Sequence, residues 1–348
     1  MKITILTEGG AEIGFGHVTR CLSLCQAFAA RRHHTRFIVA GDASVAGILK
    51  NINFEIFDWR KEEERLMQAI DDVDVALVDS YLANEKVYET ISASVKVAVF
   101  LDDTRRLDYP PGLVLNWSIS ARDLEYPEKD SINYLLGPAY VSLRNAFREV
   151  PAKEIKETVT DVLVTFGGDD SKNLTPKVQG FLTRDYPTLR KHIVIAGAFK
   201  NRAEIEAAAD NNTHLVFSPD DEGMKKVMLE SDIAIASGGQ TIYELARVGV
   251  PAVVIAVADN QRNNVSGWEK TGFIENAGFW NEEHLMNVVA ERFAKLTGFQ
   301  SRRRAAAAGH NVIPCSEADQ VIKRIEDKLD VYNLFNCWRR RKKKKNKD

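Results

Sequence analysis

His17 has the sequence surroundings of a general base. It lies in Ile13-Gly14-Phe15-Gly16-His17-Val18-Thr19-Arg20, between an apolar run, Ile3-Thr4-Ile5-Leu6, and an amphipathic segment. That order reads as strand, glycine-rich loop, helix. Gly14 and Gly16 allow backbone shapes and close ligand approach that a Cβ would block. The start of a helix offers unpaired N–H groups and the positive end of a dipole. Such a place disfavours imidazolium and suits His17 to accept a proton. The same residues also fit a tight turn capped by a histidine. The spacing is not Gly-x-Gly-x-x-Gly, so a dinucleotide fingerprint is absent.

Other candidates sit at comparable junctions. Ser237-Gly238-Gly239-Gln240-Thr241 follows an apolar run and opens a helical pattern, the arrangement of a phosphate cradle. Glu244, one helical turn further on, could accept hydrogen bonds from both hydroxyls of a ribose; a helix cap with a surface glutamate reads equally well. Asp259-Asn260-Gln261, after the run Ala252–Val257, offers three polar side chains suited to sugar hydroxyls or an N-acetyl group, or simply a polar turn. Gly167-Gly168-Asp169-Asp170 is a glycine loop that serves as a ligand loop or a turn. Asp102-Asp103 ends another strand and could orient a catalytic group or bind sugar. Asp72-Val73-Asp74 resembles a metal-binding acidic triplet but falls at a strand start, which argues against that role.

These junctions need a scaffold. The first half alternates β-like runs (Ile3–Thr7, Arg36–Ala40, Phe54–Phe57, Val73–Asp79, Lys96–Asp102, Leu113–Asn116) with helical patterns at His17–Arg31, Ser44–Asn51, Lys61–Asp71 and Glu85–Ser94. Continuous apolar runs such as Val97-Ala98-Val99-Phe100-Leu101 are the signature of strands covered on both faces. The pattern restarts at Asp161–Phe166, with further strands at His192–Ala196, His214–Phe217, Asp232–Ala236 and Ala252–Val257. The expectation is an α/β protein of two Rossmann-like domains facing each other across a cleft. Residues 1–148 form the first domain, 149–157 a charged linker, and 158–315 the second. A helix follows at 316–337, with Ser316 as its cap, and then a basic tail at 338–348.

Composition sets limits. The chain has 348 residues, 45% hydrophobic and 28% charged, as in ordinary soluble proteins. The beginning lacks a signal-peptide pattern and no apolar run could span a membrane, so a cytoplasmic enzyme is expected. Cys21 and Cys25 fall on one helical face and read as packed thiols; no second pair completes a metal site. Arg339–Asp348 holds three Arg, five Lys and one Asp, a local charge of +7, which leaves −9 for the rest of a chain whose net charge is −2. An acidic body argues against nucleic acid as the partner. The basic run reads as a solvated tail, with contact to anionic lipid or RNA as the sharper alternative. Oligomeric state is not legible.

The ordered set of motifs resembles the PseG/SpsG group within the GT-B superfamily of nucleotide-sugar enzymes. It comprises Ile13–His17 with Arg20, Leu101-Asp102-Asp103, Leu115-Asn116, Gly137-Pro138-Ala139-Tyr140 through Leu143-Arg144, Gly167-Gly168-x-Asp170 with Lys172-Asn173-Leu174, Ser237-Gly238-Gly239 with Glu244, and Asn260-Gln261. The similarity runs from Met1 to about Gly278. It implies hydrolysis of UDP-2,4-diacetamido-2,4,6-trideoxy-β-L-altropyranose or a close UDP-sugar, with inversion, in biosynthesis of a pseudaminic acid-type sugar. By resemblance His17 is the base that activates water, Asn260 lies near the sugar, Ser237–Thr241 cradles the diphosphate, and Glu244 binds the ribose. No cofactor or metal is implied, since helix N-termini can stabilise the leaving diphosphate. The Ser237-Gly238-Gly239 and Asp259-Asn260-Gln261 motifs are shared with glycosyltransferases such as MurG. An inverting glycosyltransferase is therefore the alternative, and a nucleotide-sugar-binding protein without catalysis is the third reading.

Overall fold

All named strands pair in parallel in the computed structural model, which describes residues 1–314 and 318–345, with side chains of the last helix from Gln320 to Trp338. The expected cap at Ser316 and the last residues of the basic run, 346–348, lie outside the described residues. The chain divides into two units, Met1–Ser142 with the last helix, and Leu143–Ser316.

The first unit contains β1 (Lys2–Gly9), α1 (Gly16–Ala30), β2 (His34–Gly41), β3 (Phe54–Ile56), α2 (Glu63–Ile70), β4 (Val75–Asp79), α3 (Glu85–Ser94), β5 (Val97–Leu101), β6 (Gly112–Asn116) and β7 (Ile132–Leu136). Its sheet has the order β3-β2-β1-β4-β5-β6-β7. The second unit contains β8 (Asp161–Thr165), α4 (Thr175–Asp185), β9 (Arg190–Ile195), α5 (Arg202–Ala207), β10 (Thr213–Phe217), α6 (Asp221–Glu230), β11 (Ile233–Ser237), α7 (Thr241–Val248), β12 (Ala252–Ala256), α8 (Gln261–Thr271), β13 (Ile274–Phe279), α9 (Leu285–Leu296) and α10 (Phe299–Val312). Its order is β10-β9-β8-β11-β12-β13. In each sheet the winding reverses beside the first strand, between β1 and β4 and between β8 and β11. Open α/β sheets bind ligands at the carboxyl ends of such a pair.

The central strands β4, β5, β6, β8, β11 and β12 are buried along their whole length. This is what their unbroken apolar runs require, since helices cover both faces. In α1 the stripe Val18, Cys21, Leu24, Cys25 and Phe28 is buried, and both thiols are free. The helix expected over Ser44–Asn51 is instead a short 3₁₀ turn at Ala43–Gly47, capped by Asp42 accepting from the Ser44 N–H. Gly47 and the positive φ of Asn51 keep it from extending.

The division between units falls at Ser142/Leu143 rather than at 148. The end of the expected first domain and the end of the expected linker are both held by the second unit. The Arg247 guanidinium donates to the carbonyls of Phe147 and Arg148, and the buried Arg302 donates to those of Lys156 and Glu157. The last helix, α11 (Ala318–Lys345), belongs to the first unit. Val321, Ile322, Ile325 and Leu329 are buried there, while Glu326 pairs with Arg31 at 2.6 Å and His33 at 2.9 Å. Its backbone is helical to Lys345, so the helix takes in most of the basic run that the sequence leaves as a tail.

Candidate functional site

In the first unit the switch point is crowded with charge. Glu8 lies near the end of β1 and Asp79 at the end of β4; both are buried. The connection from β1 doubles back at once, because Gly10 and Gly14 exchange backbone hydrogen bonds of 3.1 and 2.8 Å. Gly14 has φ +85°, a conformation that costs a side-chain-bearing residue, so the clasp needs glycine here. It delivers α1 with His17 in its first turn, directly over Asp79.

His17 Nδ1 is 2.7 Å from Asp79 Oδ1, and its Nε2 is 3.8 Å from Glu8 Oε1. The Tyr81 ring meets the imidazole edge-on at 4.5 Å. Arg20, one turn along α1, donates from Nε to Asp79 Oδ2 at 2.5 Å, from Nη2 to Asp79 Oδ1, and from Nη1 to Asp103 Oδ2 at 3.0 Å. The Tyr81 hydroxyl also donates to Asp103. Glu8 accepts from Ser80 Oγ at 2.5 Å, from the Tyr81 N–H at 2.7 Å and from Arg60 at 3.3 Å.

The tautomer of His17 follows from this network. Nδ1 faces two groups, the carboxylate at 2.7 Å and Arg20 Nη2 at 3.1 Å. Guanidinium can only donate and carboxylate can only accept. The nearer partner is the anion, which assigns a proton to Nδ1, so that the neutral ring carries its lone pair on Nε2. Burial opposes ionisation of Asp79, but Arg20 and His17 outweigh it and hold the carboxyl well below its usual range. Burial likewise opposes the charge on Arg20, and Asp79 with Asp103 overcomes it, so Arg20 stays a cation. Arg20 thus acts first as a counter-ion within the protein.

Asp102 does not join this cluster through its side chain. It accepts from the N–H groups of Asp103 and Thr104 and from the Tyr126 hydroxyl at 2.5 Å, which shapes the loop after β5. Asp103 is the member of that pair that reaches the cluster. The Asp72–Asp74 triplet makes surface pairs with Lys2 and Lys96.

In the second unit the corresponding loops are built of glycine, serine and neutral amides, with Asp170 and the Glu244–Arg144 pair set back from them. Gly167, at φ +77°, and exposed Gly168 follow β8, and a Cβ on Gly167 would stand 4.0 Å from Ser237 Oγ. The two glycine loops are therefore neighbours. Ser237 ends β11, and Gly239, Gln240 and Thr241, all half-buried, lead into α7. The loop is fixed by amides. Gln261 Oε1 accepts from the Gly238 N–H at 3.1 Å and the Val257 N–H at 2.9 Å, and Asn264 donates to the Gly238 carbonyl at 3.0 Å. A Cβ on Gly238 would stand 2.5 Å from Val265 Cγ2. Gln261, expected to face a sugar, is thus turned inward as a brace for the loop.

Asp170 caps α4, accepting from the N–H groups of Leu174 and Thr175 at 2.9 and 3.0 Å. Asp259 is exposed and pairs with Arg262 at 3.0 Å; Asn260 is exposed at the start of α8. Glu244 is buried, and both its oxygens meet Arg144, at 2.6 and 2.7 Å, while Arg144 also reaches Asp221 at 3.0 Å. A carboxylate holding one bidentate arginine keeps acceptor sites for hydroxyls. Among the described residues no group of three or more His, Cys, Asp or Glu side chains is placed to hold a metal ion.

Three members of the first cluster, Glu8, Tyr81 and Asp79, do not stand out in the sequence, nor does the pairing of Arg144 with Glu244. The available signal is positional: Glu8 and Asp79 are acidic residues at the carboxyl ends of apolar strands, as Asp102 and Asp259 nearly are.

No family model matches the chain. An uncharacterized protein of Methanocaldococcus jannaschii is 27% identical over 282 residues, 75% of this chain and 57% of that protein. A Helicobacter pylori protein, named pseudaminic acid cytidylyltransferase and UDP-2,4-diacetamido-2,4,6-trideoxy-beta-L-altropyranose hydrolase, is 22% identical over 79% of this chain and 48% of its own length. The chain thus spans about half the length of these two relatives. The hydrolase of that name from Campylobacter jejuni is 23% identical over 278 residues, 78% of this chain and 98% of that protein. By structure, MurG of Acinetobacter baumannii superposes with a TM-score of 0.64 at 15% identity, covering 94% of this chain and all of MurG. The chain is therefore similar in sequence to hydrolases of the PseG/SpsG group and has the α/β fold of GT-B proteins such as MurG.

Proposed function

We propose that the protein is an enzyme of nucleotide-sugar metabolism that hydrolyses a UDP-sugar, with UDP-2,4-diacetamido-2,4,6-trideoxy-β-L-altropyranose or a close relative as substrate. The observation that carries the reading is the Asp79–His17 pair, which leaves Nε2 of His17 as a base. Nε2 takes a proton from water as the water oxygen bonds to the anomeric carbon. The bond from that carbon to the diphosphate oxygen breaks, and UDP leaves with the electron pair from the opposite face, so the sugar inverts. Asp79 keeps the Nδ1 proton in place and stabilises the imidazolium that forms. The Ser237–Thr241 loop and the start of α7 receive the diphosphate, Glu244 the ribose, and Asn260 lies near the sugar. Gly14, Gly16 and Arg20 shape the base's surroundings, Gly167 and Gly168 border the diphosphate loop, and no metal takes part.

The likeness to MurG favours one second reading, an inverting glycosyltransferase in which an acceptor hydroxyl replaces water. Purified protein incubated with UDP-sugars and no acceptor separates the two. Stoichiometric release of UDP and free sugar is expected; release only when an acceptor is added would overturn the hydrolase reading.

A further inference from the structure

We propose that the second half of α11 docks the protein on an anionic lipid surface. In its first half, α11 buries Val321, Ile322, Ile325 and Leu329 against the first unit. Beyond Leu329 the pattern changes sides. Val331, Leu334, Phe335 and Trp338 recur at i, i+3, i+4 and i+7 and are 63, 71, 52 and 55% exposed. At 3.6 residues per turn this stripe spans about 100° and lies about 140° around the helix from the docked stripe. It is therefore not the continuation of a core face, and each of its side chains stays more than half exposed.

The residues beyond the stripe select the partner. Arg339 to Lys345 are seven consecutive cations on the same helix, in a chain whose remaining residues are strongly acidic. A buried protein partner would have to match an apolar stripe and an unbroken cationic run at once. A bilayer with anionic headgroups offers both, acyl chains for Phe335 and Trp338 and phosphates for the cations. Aromatic side chains with apolar bodies favour that interface. No helix among the described residues is long and apolar enough to cross a membrane, so the contact lies on the surface and does not span it.

The test uses the full chain and sedimentation with vesicles of phosphatidylcholine alone or with phosphatidylglycerol added. Binding to the anionic vesicles only, weakened by salt, is expected. Lys342→Glu with Lys343→Glu, or Phe335→Ser with Trp338→Ser, is expected to weaken it about tenfold or more. A blue shift of emission on binding, lost in Trp338→Phe, places the stripe in the interface. Circular dichroism and UDP-sugar turnover without vesicles check that each variant is folded. Failure of the wild type to sediment with anionic vesicles overturns the proposal. So does indifference to both pairs of substitutions, a dimer in light scattering that Leu334→Ser dissolves, or RNA that displaces the vesicles by binding more tightly.

Discussion

The two units reach the same topological position with opposite materials. Between β1 and β4 stand Glu8, His17, Arg20, Asp79 and Asp103, held by ion pairs. Between β8 and β11 stand Gly167, Ser237 and Gly238, braced by the side-chain amides of Gln261 and Asn264. A buried charged cluster can set the protonation state of one atom, because each partner fixes where the next proton sits. A loop of backbone groups and neutral amides leaves the field to its N–H donors and the helix dipole, which favour an anion. On the proposed reading, the difference suits the first unit to proton transfer and the second to diphosphate binding, within a scaffold that is otherwise repeated.

The sharpest way to break this contrast is to remove the base. His17→Ala is expected to lower kcat by roughly 10²–10⁴-fold while UDP binding, measured by calorimetry, changes little. Unchanged turnover would remove His17 from the mechanism. Asp79→Asn should come next. It keeps the shape but can turn an amide N–H toward Nδ1, which reverses the tautomer and moves the lone pair away from Nε2. A kcat loss of about 10²-fold or more is expected, with a stability loss of about 3 kcal/mol because Arg20 loses its main counter-charge. The substitution also carries a pH signature. Asp79 titrates lower in the folded protein than in the unfolded chain. Its contribution is thus present above the unfolded carboxylate value of about 3.9 and is lost as pH falls from there toward the lower folded value. Denaturant midpoints should drop more steeply with acid in the wild type than in Asp79→Asn; parallel curves would contradict the assignment.

The legibility of the two sites differs for a physical reason. The His17 loop and Ser237–Thr241 are visible because their glycines, polar residues and helix starts are contiguous in sequence. Asp79 is not, since it lies 62 residues from His17 and only the parallel pairing of β1 with β4 brings the two together. Gln261 is visible but its direction is not: a polar residue after a strand reads as facing ligand, and here it satisfies two backbone N–H groups. The central strands are plain from their apolar runs. By contrast, α8 buries little beyond Val265 and Trp268, so it has hardly any periodic signal. β7 and β13 are short runs with only partly buried faces, which hides them among the loops.

The smallest expected effects test the neutral loop, and they need a pair of substitutions at one position. Gln261→Ala leaves the Val257 N–H without its side-chain acceptor and the Gly238 N–H with only the Ile255 carbonyl at 3.2 Å, at a cost of about 1–3 kcal/mol. That should lower Tm by several degrees and raise KM for the UDP-sugar, with kcat nearly unchanged. By itself this does not separate a loosened loop from a changed field. Gln261→Glu does, because a carboxylate oxygen can still accept from both N–H groups and hold the loop. What it adds is a negative charge beside the place assigned to the diphosphate. If that place binds an anion through neutral donors, Gln261→Glu should keep Tm near the wild type yet raise KM about tenfold, and the rise should shrink with added salt. Should KM follow Tm in both variants, the loop would be only a structural brace and the diphosphate would have to be sought elsewhere in the second unit.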